Sequence, residues 1–125
     1  DLTEKTEDEI INIKYIYELR SMLYLNDGVT FSPLPLPKQA QLSTLEDMII
    51  DDGNLIFTGN HKSYVTELGE SSSNSGGILN FNDIDNIAYE SLKLPKGIRG
   101  RRIIKLKENE YLIVTNNGKS YTTSQ

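Results

Sequence analysis

Few residues in this 125-residue chain could do chemistry. His61 is the one histidine and there is no cysteine, so a multi-histidine metal site and a thiolate site are both excluded. Nucleophilic catalysis needs a nucleophile, a base and an orienting group close in space. The sequence contains no G-x-S-x-G, P-loop or dinucleotide-binding motif. We therefore interpret His61 as an exposed histidine in a turn, and predict no catalytic residues and no enzymatic activity.

Carboxylates could bind a metal ion, and the run Asp51-Asp52-Gly53-Asn54 places two adjacent carboxylates between two predicted strands. Calcium takes six to eight oxygen ligands, and two adjacent carboxylates do not supply them. Asp-Gly is also typical of tight turns between strands. The sequence therefore favours a β-turn here, and we predict no metal and no cofactor.

A basic cluster lies nearer the C-terminus, with five cations within nine residues: Arg99, Arg101, Arg102, Lys105 and Lys107. It could be a docking patch for an anionic glycan, a lipid headgroup or an acidic protein face. It could equally be a solvated loop leading into an edge strand whose charges discourage sheet-to-sheet pairing. The second interpretation is favoured, and Arg99, Arg101 and Arg102 stay candidates for ligand binding.

An internal repeat organises the chain. Residues 55–66, LIFTGNHKSYVT, return as residues 112–123, LIVTNNGKSYTT, with eight of twelve positions identical at a constant offset of 57. The upstream segments 34–38 and 23–27 return at 92–96 and 79–83, at offsets of 58 and 56. Three matched blocks in the same order indicate a repeated structural unit.

Each unit is predicted to contain short antiparallel strands. In the first unit these are residues 22–25, 30–32, 47–50, 55–58 and 63–66, with a hairpin turn at 26–28 and a proline-rich exit from the sheet at 33–37. In the second unit they are residues 78–81, 87–89, 102–106, 111–115 and 120–123. The predicted organisation is an N-terminal segment and lead-in strand (1–21), a first repeat (22–68), a Ser/Gly-rich join (69–77) and a second repeat (78–125).

The repeat also places polar and aromatic residues at equivalent turns. The pairs are Asn60/Asn117, Lys62/Lys119 and Tyr64/Tyr121. Such residues could line one face and contact a ligand, which makes all six candidates for ligand binding. Alternatively each solves the same local problem twice, with Asn adopting the left-handed conformation and Tyr packing between units. The architectural interpretation is favoured, because repetition by itself indicates architecture.

The N-terminal segment is ambiguous. Residues 6–9, TEDE, match a helix capping box. Beyond them, apolar residues alternate with mostly polar ones from Ile11 to Leu19, which favours a strand. We predict a short helical or irregular start followed by a long strand that runs into Leu25.

Composition limits the class of partner. The net charge is −5 and the pI about 4.8, which argues against a nucleic-acid partner because such binding is dominated by phosphate neutralisation. No apolar run approaches the ~20 residues of a membrane-spanning helix. The start at Asp1 suggests a piece of something longer.

The order of these motifs resembles the FG-GAP/VCBS repeats of integrin-alpha-like β-propellers of Bacteroidetes type. Residues 24–31, YLNDGVTF, are similar to the strand-turn-strand of that family, residues 33–43 to its "LP-x-x-A-Q-x-S" segment, and residues 55–60 to its "DLLLAGN" strand. Residues 67–79 and 111–117 also have counterparts there. The resemblance covers about residues 11–125 and implies an all-β fold of two consecutive four-stranded antiparallel propeller blades.

The resemblance implies a non-enzymatic cell-surface or secreted module for protein or glycan binding, located outside the cell or in the cell envelope. The family's calcium-binding loop has no equivalent, since its place holds Asp51-Asp52-Gly53-Asn54 and Lys107-Glu108-Asn109-Glu110. Two alternatives stay open: a non-catalytic C-terminal part of a larger extracellular enzyme, and a stand-alone oligomeric β-structural protein.

Two blades cannot close a ring of four to eight. The expected partners are therefore the remaining blades, or a partner or second copy that covers exposed sheet edges.

Overall fold

The structure, a computed structural model, describes residues 14–61, 69, 72–116 and 118–124. Within these residues the chain forms nine strands and one short 3₁₀ helix, Lys38–Gln41. The strands are β1 (Met22–Asn26), β2 (Phe31–Pro35), β3 (Leu45–Asp51), β4 (Asn54–Gly59), β5 (Gly76–Asn80), β6 (Ala88–Ser91), β7 (Gly100–Lys107), β8 (Glu110–Thr115) and β9 (Ser120–Ser124).

Three antiparallel sheets form in chain order. The first sheet pairs β1 with β2, the middle sheet has the order β3-β4-β5-β6, and the third sheet has the order β7-β8-β9. None of the three closes on itself. The predicted all-β, antiparallel class is therefore confirmed.

Local turn chemistry fixes the first two hairpins. The carboxylate of Asp27 accepts hydrogen bonds from the backbone N–H groups of Val29 and Thr30 at 2.8 and 2.7 Å, which closes the β1–β2 turn. In the β3–β4 turn Asp52 and Gly53 have φ of 45° and 71°, the left-handed values that a two-residue hairpin requires. The tight turn predicted at residues 51–54 is confirmed.

The middle sheet is buried on both faces. Leu55 and Phe57 of β4 point to one face, where they pack with Leu79, Leu36 and Ala40 beneath the first sheet. Ile56 points to the opposite face and belongs to a second core, whose other members are Ile78, Leu92, Ile103, Tyr111 and Ile113. The middle sheet therefore lies between the other two, which explains why β4 reads as a nearly continuous apolar run rather than an alternating one.

The strands do not divide at the predicted join. Strand β5, assigned by the repeat to the second unit, pairs with β4 along Asn54–Thr58, and β6 follows it in the same sheet. The reason is burial: Ile78 and Leu79 are apolar on successive positions, so β5 needs a place covered on both faces. The third sheet correspondingly has three strands among the described residues.

This arrangement also affects the fifth strand predicted for the first unit. The repeat would set residues 63–66 beside β4, as β9 lies beside β8. Both edges of β4 are instead taken, by β3 and β5. Residues 63–66 themselves lie outside the described residues.

The repeat brings equivalent residues face to face. Ile56 and Ile113 are 57 positions apart in the sequence and lie in the same core between the middle and third sheets. Gly100 allows the close approach of these sheets, because a Cβ atom there would lie 2.6 Å from Thr58 Cβ and 2.9 Å from Ile113 Cγ2. The two sheets thus share one apolar interface.

Two further predictions are wrong. The sequence predicts that residues 33–37 leave the sheet, but β2 runs through Pro33 and Pro35, because an edge strand tolerates proline where its N–H would face outward. The sequence also predicts a lead-in strand that spans residues 11–25. Residues 14–19 form no strand and β1 begins at Met22. The predicted helical start at residues 6–9 and the remainder of the lead-in strand lie outside the described residues.

In the described part of the chain, no helix has the length and apolar character needed to cross a membrane.

Candidate functional site

The basic cluster of β7 contacts the acidic side chains of β3. Arg101 Nη1 lies 2.5 Å from Glu46 Oε2, and Lys105 Nζ lies 2.6 Å from Asp51 Oδ1. Strands β3 and β7 lie beside each other with their residue numbers rising in the same direction, so successive charges meet successive partners. These pairs join the middle sheet to the third sheet, and they support the architectural interpretation of the cluster.

Asp47 bonds the backbone of the neighbouring sheet. Its Oδ2 accepts from the Ile103 N–H at 3.0 Å, so a backbone donor on the free edge of β7 is satisfied by a side chain of β3. The second oxygen, Oδ1, lies 3.6 Å from Arg102 Nη1. The Arg102 side chain is 75% exposed, so its pairing with Asp47 is a surface contact of small energetic weight.

Asp51 joins the two sheets nearer the β3–β4 turn. Its Oδ2 accepts from the Tyr111 hydroxyl at 2.7 Å, while Oδ1 accepts from Lys105. The hydrogen bonds from Lys105 and Tyr111 lower the pKa of Asp51. Burial, reinforced by the hydrogen bond to Asp51, raises the pKa of Tyr111 to about 12.

A polar cluster lies at the opposite end of the sheets, which we call the loop end; it contains residues 60–61, 74–75, 98–99 and 116. Glu46 bridges His61 Nδ1, at 2.5 Å from Oε1, and Arg101. The side-chain amide of Asn116 is oriented so that its oxygen faces Arg101. This oxygen accepts hydrogen bonds from Arg101 Nε at 2.8 Å and from Arg101 Nη2 at 3.2 Å. The prediction that His61 is exposed is wrong, since its side chain is half-buried and contacts Glu46.

Asn60 is the centre of the buried polar contacts at the loop end. Its residue is 1% exposed and has a φ of 71°, the left-handed conformation that Asn tolerates. The amide oxygen accepts from Ser43 Oγ at 2.7 Å and from the Asn74 N–H at 3.0 Å. The amide nitrogen donates to the Ile98 carbonyl at 2.7 Å and to Ser75 Oγ at 3.1 Å. Three segments, at Ser43, Asn74–Ser75 and Ile98, are thereby joined through one side chain, which favours an architectural role for Asn60.

The remaining candidates come from the β8–β9 turn and β9, from the start of β7, and from residues that the structure does not describe. Lys119 is exposed and Tyr121 is half-buried, both at or after the β8–β9 turn, where the Lys119 carbonyl accepts from Thr115 Oγ1 at 2.5 Å. Arg99 is half-buried beside Gly100 at the start of β7. Lys62, Tyr64 and Asn117 lie outside the described residues. The structure thus brings Asn60, Arg99, Arg101 and Lys119 to one end of the sheets.

An apolar groove lies at the other end of the sheets, which we call the turn end; it contains the turns at 27–30 and 52–53 and the loop at 81–87. The groove has a volume of about 350 Å³. Its lining comes from the first and middle sheets: Leu23, Tyr24, Leu25, Asn26, Ile50, Gly53, Leu55, Phe81 and Ile84. Sequence reasoning missed this groove, although Ile50, Ile84 and Tyr24 stand out as apolar residues beside turn signals.

The groove is bordered by carboxylates. Asp27, Asp52, Asp83 and Asp85 occupy the turns and the loop from which groove residues also come, and all four are exposed. Hydrogen bonds from the Thr30 and Val29 N–H groups lower the pKa of Asp27, so this carboxylate stays charged well into the acid range. The turn end is therefore an apolar depression with an acidic rim.

Among the described residues, no three or more His, Cys, Asp or Glu side chains are placed to hold a metal ion together. Comparison of the chain with known protein families, with curated proteins and with solved structures found no match in any of the three.

Proposed function

We propose that this chain is a non-enzymatic binding module that takes a peptide segment of a partner protein in the turn-end groove. The observation that carries the proposal is the groove itself, in which large apolar side chains from two sheets stay accessible. Ile50 is 81% exposed and Tyr24 is 59% exposed, on strands whose opposite faces pack in the core. Contiguous exposed apolar surface on a soluble domain is typical of interaction sites.

The chemistry of the groove defines the partner. Apolar walls favour an aliphatic or aromatic anchor, since burying one such side chain contributes about 1.5–3 kcal/mol. The acidic rim formed by Asp27, Asp52, Asp83 and Asp85 favours basic residues on either side of that anchor. We therefore expect the ligand to be an apolar-anchored, basic peptide segment.

The arrangement of charges elsewhere supports this choice of site. Arg101, Arg102 and Lys105 are paired with carboxylates of β3, so the basic cluster serves the contact between sheets rather than an anionic ligand. The resemblance to FG-GAP/VCBS repeats supports an extracellular or cell-envelope location. The four-stranded middle sheet has the strand number of a propeller blade, which supports a propeller-like role for the module.

The test is selection of peptides from a random display library on the immobilised chain, followed by measurement of their affinities for variants. Selected peptides should carry an apolar anchor with basic flanks. Ile50→Asp should weaken their binding about tenfold or more, which corresponds to about 1.4 kcal/mol. The matched control is Leu42→Asp, an equally drastic change at an exposed apolar residue outside the groove, which should leave affinity unchanged.

Salt provides a second readout, because contacts between exposed charges weaken as ionic strength rises. Affinity should fall with added salt for the wild type and less steeply for the Asp83→Asn/Asp85→Asn variant. The proposal is wrong if the selected peptides are acidic, if they lose affinity on Lys119→Glu but not on Ile50→Asp, or if the chain binds glycans through residues outside the groove.

A second candidate function, a stand-alone oligomeric β-structural protein, is favoured by the second edge of β9, which pairs with no other described residue.

A further inference from the structure

The sheets differ in how their edges are protected. An exposed edge strand offers unpaired N–H and C=O groups to another chain, and proteins block it with proline, charge or short length. Strand β2 carries Pro33 and Pro35, and β6 is four residues long with Glu90 at its centre. The edges of β3 and β7 are joined by ion pairs.

Strand β9 carries neither proline nor charge along its five residues. Its sequence, SYTTS, consists only of hydroxyl-bearing residues. On one side it pairs with β8, and no other described residue pairs with its second edge. The third strand of the middle sheet, β5, takes the same place in its sheet order as β9 and has neighbours on both sides. The Thr123 hydroxyl on β9 is buried without a hydrogen-bond partner in the described part of the chain.

A segment suited to pair with this edge lies before β1. Residues 14–19, KYIYEL, combine β-branched and aromatic side chains without glycine or proline. The segment forms no strand. Four of its side chains are 68–91% exposed: Tyr15, Ile16, Tyr17 and Leu19. Such a row of exposed apolar side chains is costly to leave in water.

The segment cannot reach β9 of its own chain. Residues 14–19 lie two residues before β1 in the first sheet, and the middle sheet separates that sheet from β9. Stacked sheets are about 10 Å apart, so the first and third sheets are roughly 20 Å apart. The three Cα–Cα steps from Leu19 to Met22 span at most about 11 Å, which is too short for the whole segment to lie along β9 of the same chain. The partner must therefore be a second molecule.

We propose that residues 14–19 of one copy of this chain add to the free edge of β9 in a second copy as a fourth strand. Strand addition satisfies the edge by backbone hydrogen bonds, while alternate side chains pack on the faces of the extended sheet. The outer face of the third sheet offers Ile104, Leu112 and Val114, all partly accessible, in rows next to Thr122 and Ser120 of β9. Tyr15 and Tyr17 are long enough to cover this strip from the added strand.

The contact is head-to-tail, because donor and acceptor lie on opposite sides of the middle sheet. A copy that donates its own segment still has a free β9 edge, and each acceptor still has a free segment. Such heterologous contacts generate rings or open chains rather than a closed twofold dimer. The contact uses no residue of the turn-end groove, so it holds or fails independently of peptide binding there.

The test is sedimentation of the full chain over a range of concentrations, combined with two variants. Tyr17→Pro removes the donor without touching any strand, and Thr122→Lys charges the acceptor edge. The wild type should show an average mass that rises with concentration to at least twice 14.1 kDa. Each variant alone should stay a monomer, and a mixture of the two should give a one-to-one dimer that grows no further, since it contains one intact donor and one intact acceptor.

Val29→Ser is the matched control, since Val29 is 90% exposed, as Tyr17 is at 91%, but lies in the β1–β2 turn. It should assemble like the wild type. A wild type that stays monomeric at all concentrations, a Tyr17→Pro variant that assembles normally, or variants that do not complement each other when mixed would each overturn the proposal. Circular dichroism of Thr122→Lys shows whether its third sheet is intact, and Tyr17→Pro decides the question if it is not.

Discussion

Asp51 and Tyr111 join two sheets through a single hydrogen bond of 2.7 Å, from the Tyr111 hydroxyl to Asp51 Oδ2. Tyr111 is 1% exposed, and its ring lies in the core between the middle and third sheets. The same carboxylate accepts from Lys105 at 2.6 Å. A buried phenol, an acid and an exposed ammonium thus form one contact at the β3–β7 junction, and its pH dependence can be measured.

The Tyr111 phenol predicts a loss of stability in alkali. Its pKa is raised from the ordinary 10.0 to about 12. Above pH 10 the unfolded state loses this proton while the folded state keeps it, so the unfolded state binds fewer protons and the free energy of unfolding falls as pH rises. The loss between pH 10 and 12 should be on the order of 2 kcal/mol. Thermal unfolding of wild type and Tyr111→Phe over this range measures it.

Tyr111→Phe should be less stable than the wild type at pH 8 but should lose much less stability between pH 10 and 12. Absorbance titration of tyrosinate gives an independent value, because one of the seven tyrosines should titrate about two units above the usual pKa. Equal alkaline losses in both proteins would show that Tyr111 does not keep its proton in the fold.

Asp51 predicts the opposite dependence at low pH. Its pKa lies below the ordinary 3.8 because Lys105 and Tyr111 donate to the charged form. The resulting stability is present above pH 3.8 and is lost as the pH falls through the lowered folded value. Asp51→Asn should therefore flatten the acid limb of a plot of unfolding free energy against pH. An unchanged acid limb would argue against the contact.

Asp47 should contribute more to stability than its ion-pair partner. Asp47→Ala leaves the Ile103 N–H without its acceptor at a partly buried position, which should cost about 1–3 kcal/mol. Arg102→Ala removes the other side of the 3.6 Å contact from an exposed position and should cost less than about 0.5 kcal/mol. Urea unfolding of both variants gives the comparison. Similar losses in the two would mean that the surface pair, rather than the backbone bond, stabilises the junction.

Asn60 should be among the residues most sensitive to substitution. Asn60→Ala removes four hydrogen bonds, three of them buried, and places alanine at a φ of 71°, so we expect a loss of roughly 3 kcal/mol or more. Asn60→Gly removes the same bonds without the backbone strain and should lose about 1 kcal/mol less. Chemical denaturation separates the two effects. If Asn60→Gly were as stable as the wild type, the backbone conformation alone would explain why Asn stands at this position.

Gly100 sets the spacing between the middle and third sheets. Gly100→Ala would place a Cβ atom 2.6 Å from Thr58 Cβ, so the sheets must separate, at a cost of about 1–3 kcal/mol. Gly118→Ala adds the same Cβ atom at a turn glycine with no atom within 4 Å of it and serves as the control, with only the cost of its φ of 81°. Thermal unfolding measures the loss of stability. A Gly100→Ala variant as stable as the wild type would show that the interface between the middle and third sheets has room for a Cβ atom at this position.

The all-β class, most strands and two hairpin turns could be predicted from the sequence because their causes are local. Asp27 and Gly53 determine their turns whatever surrounds them. The grouping of strands into sheets could not be predicted, because it depends on which apolar strand gains more by burial. The repeat favours residues 63–66 beside β4, whereas Ile78 and Leu79 give β5 that place in the middle sheet.

The candidate site shows the same division. The basic cluster of β7 is visible in the sequence, but its partners Glu46, Asp47 and Asp51 are 54–55 residues away and are identified only by the packing of β3 against β7. The turn-end groove combines residues of two sheets and has no sequence signature. The repeat itself raises a further point. Ile56 of the middle sheet and Ile113 of the third sheet are equivalent in the repeat and point toward each other in one core. In neighbouring blades of a propeller, equivalent residues would point in the same direction around the ring. The propeller arrangement stays a proposal.

The most direct measurement is a double-mutant cycle on Glu46 and Arg101, in which urea unfolding is measured for the wild type, Glu46→Gln, Arg101→Gln and the double variant. If β7 cations join the sheets, the coupling energy should be about 1 kcal/mol or more, since the pair is partly buried with a contact of 2.5 Å. The affinity of groove-selected peptides should be the same for all four proteins. Additive losses with no coupling, together with weakened peptide binding in the Arg101→Gln variant, would contradict the claim and return the basic cluster to a ligand-binding role.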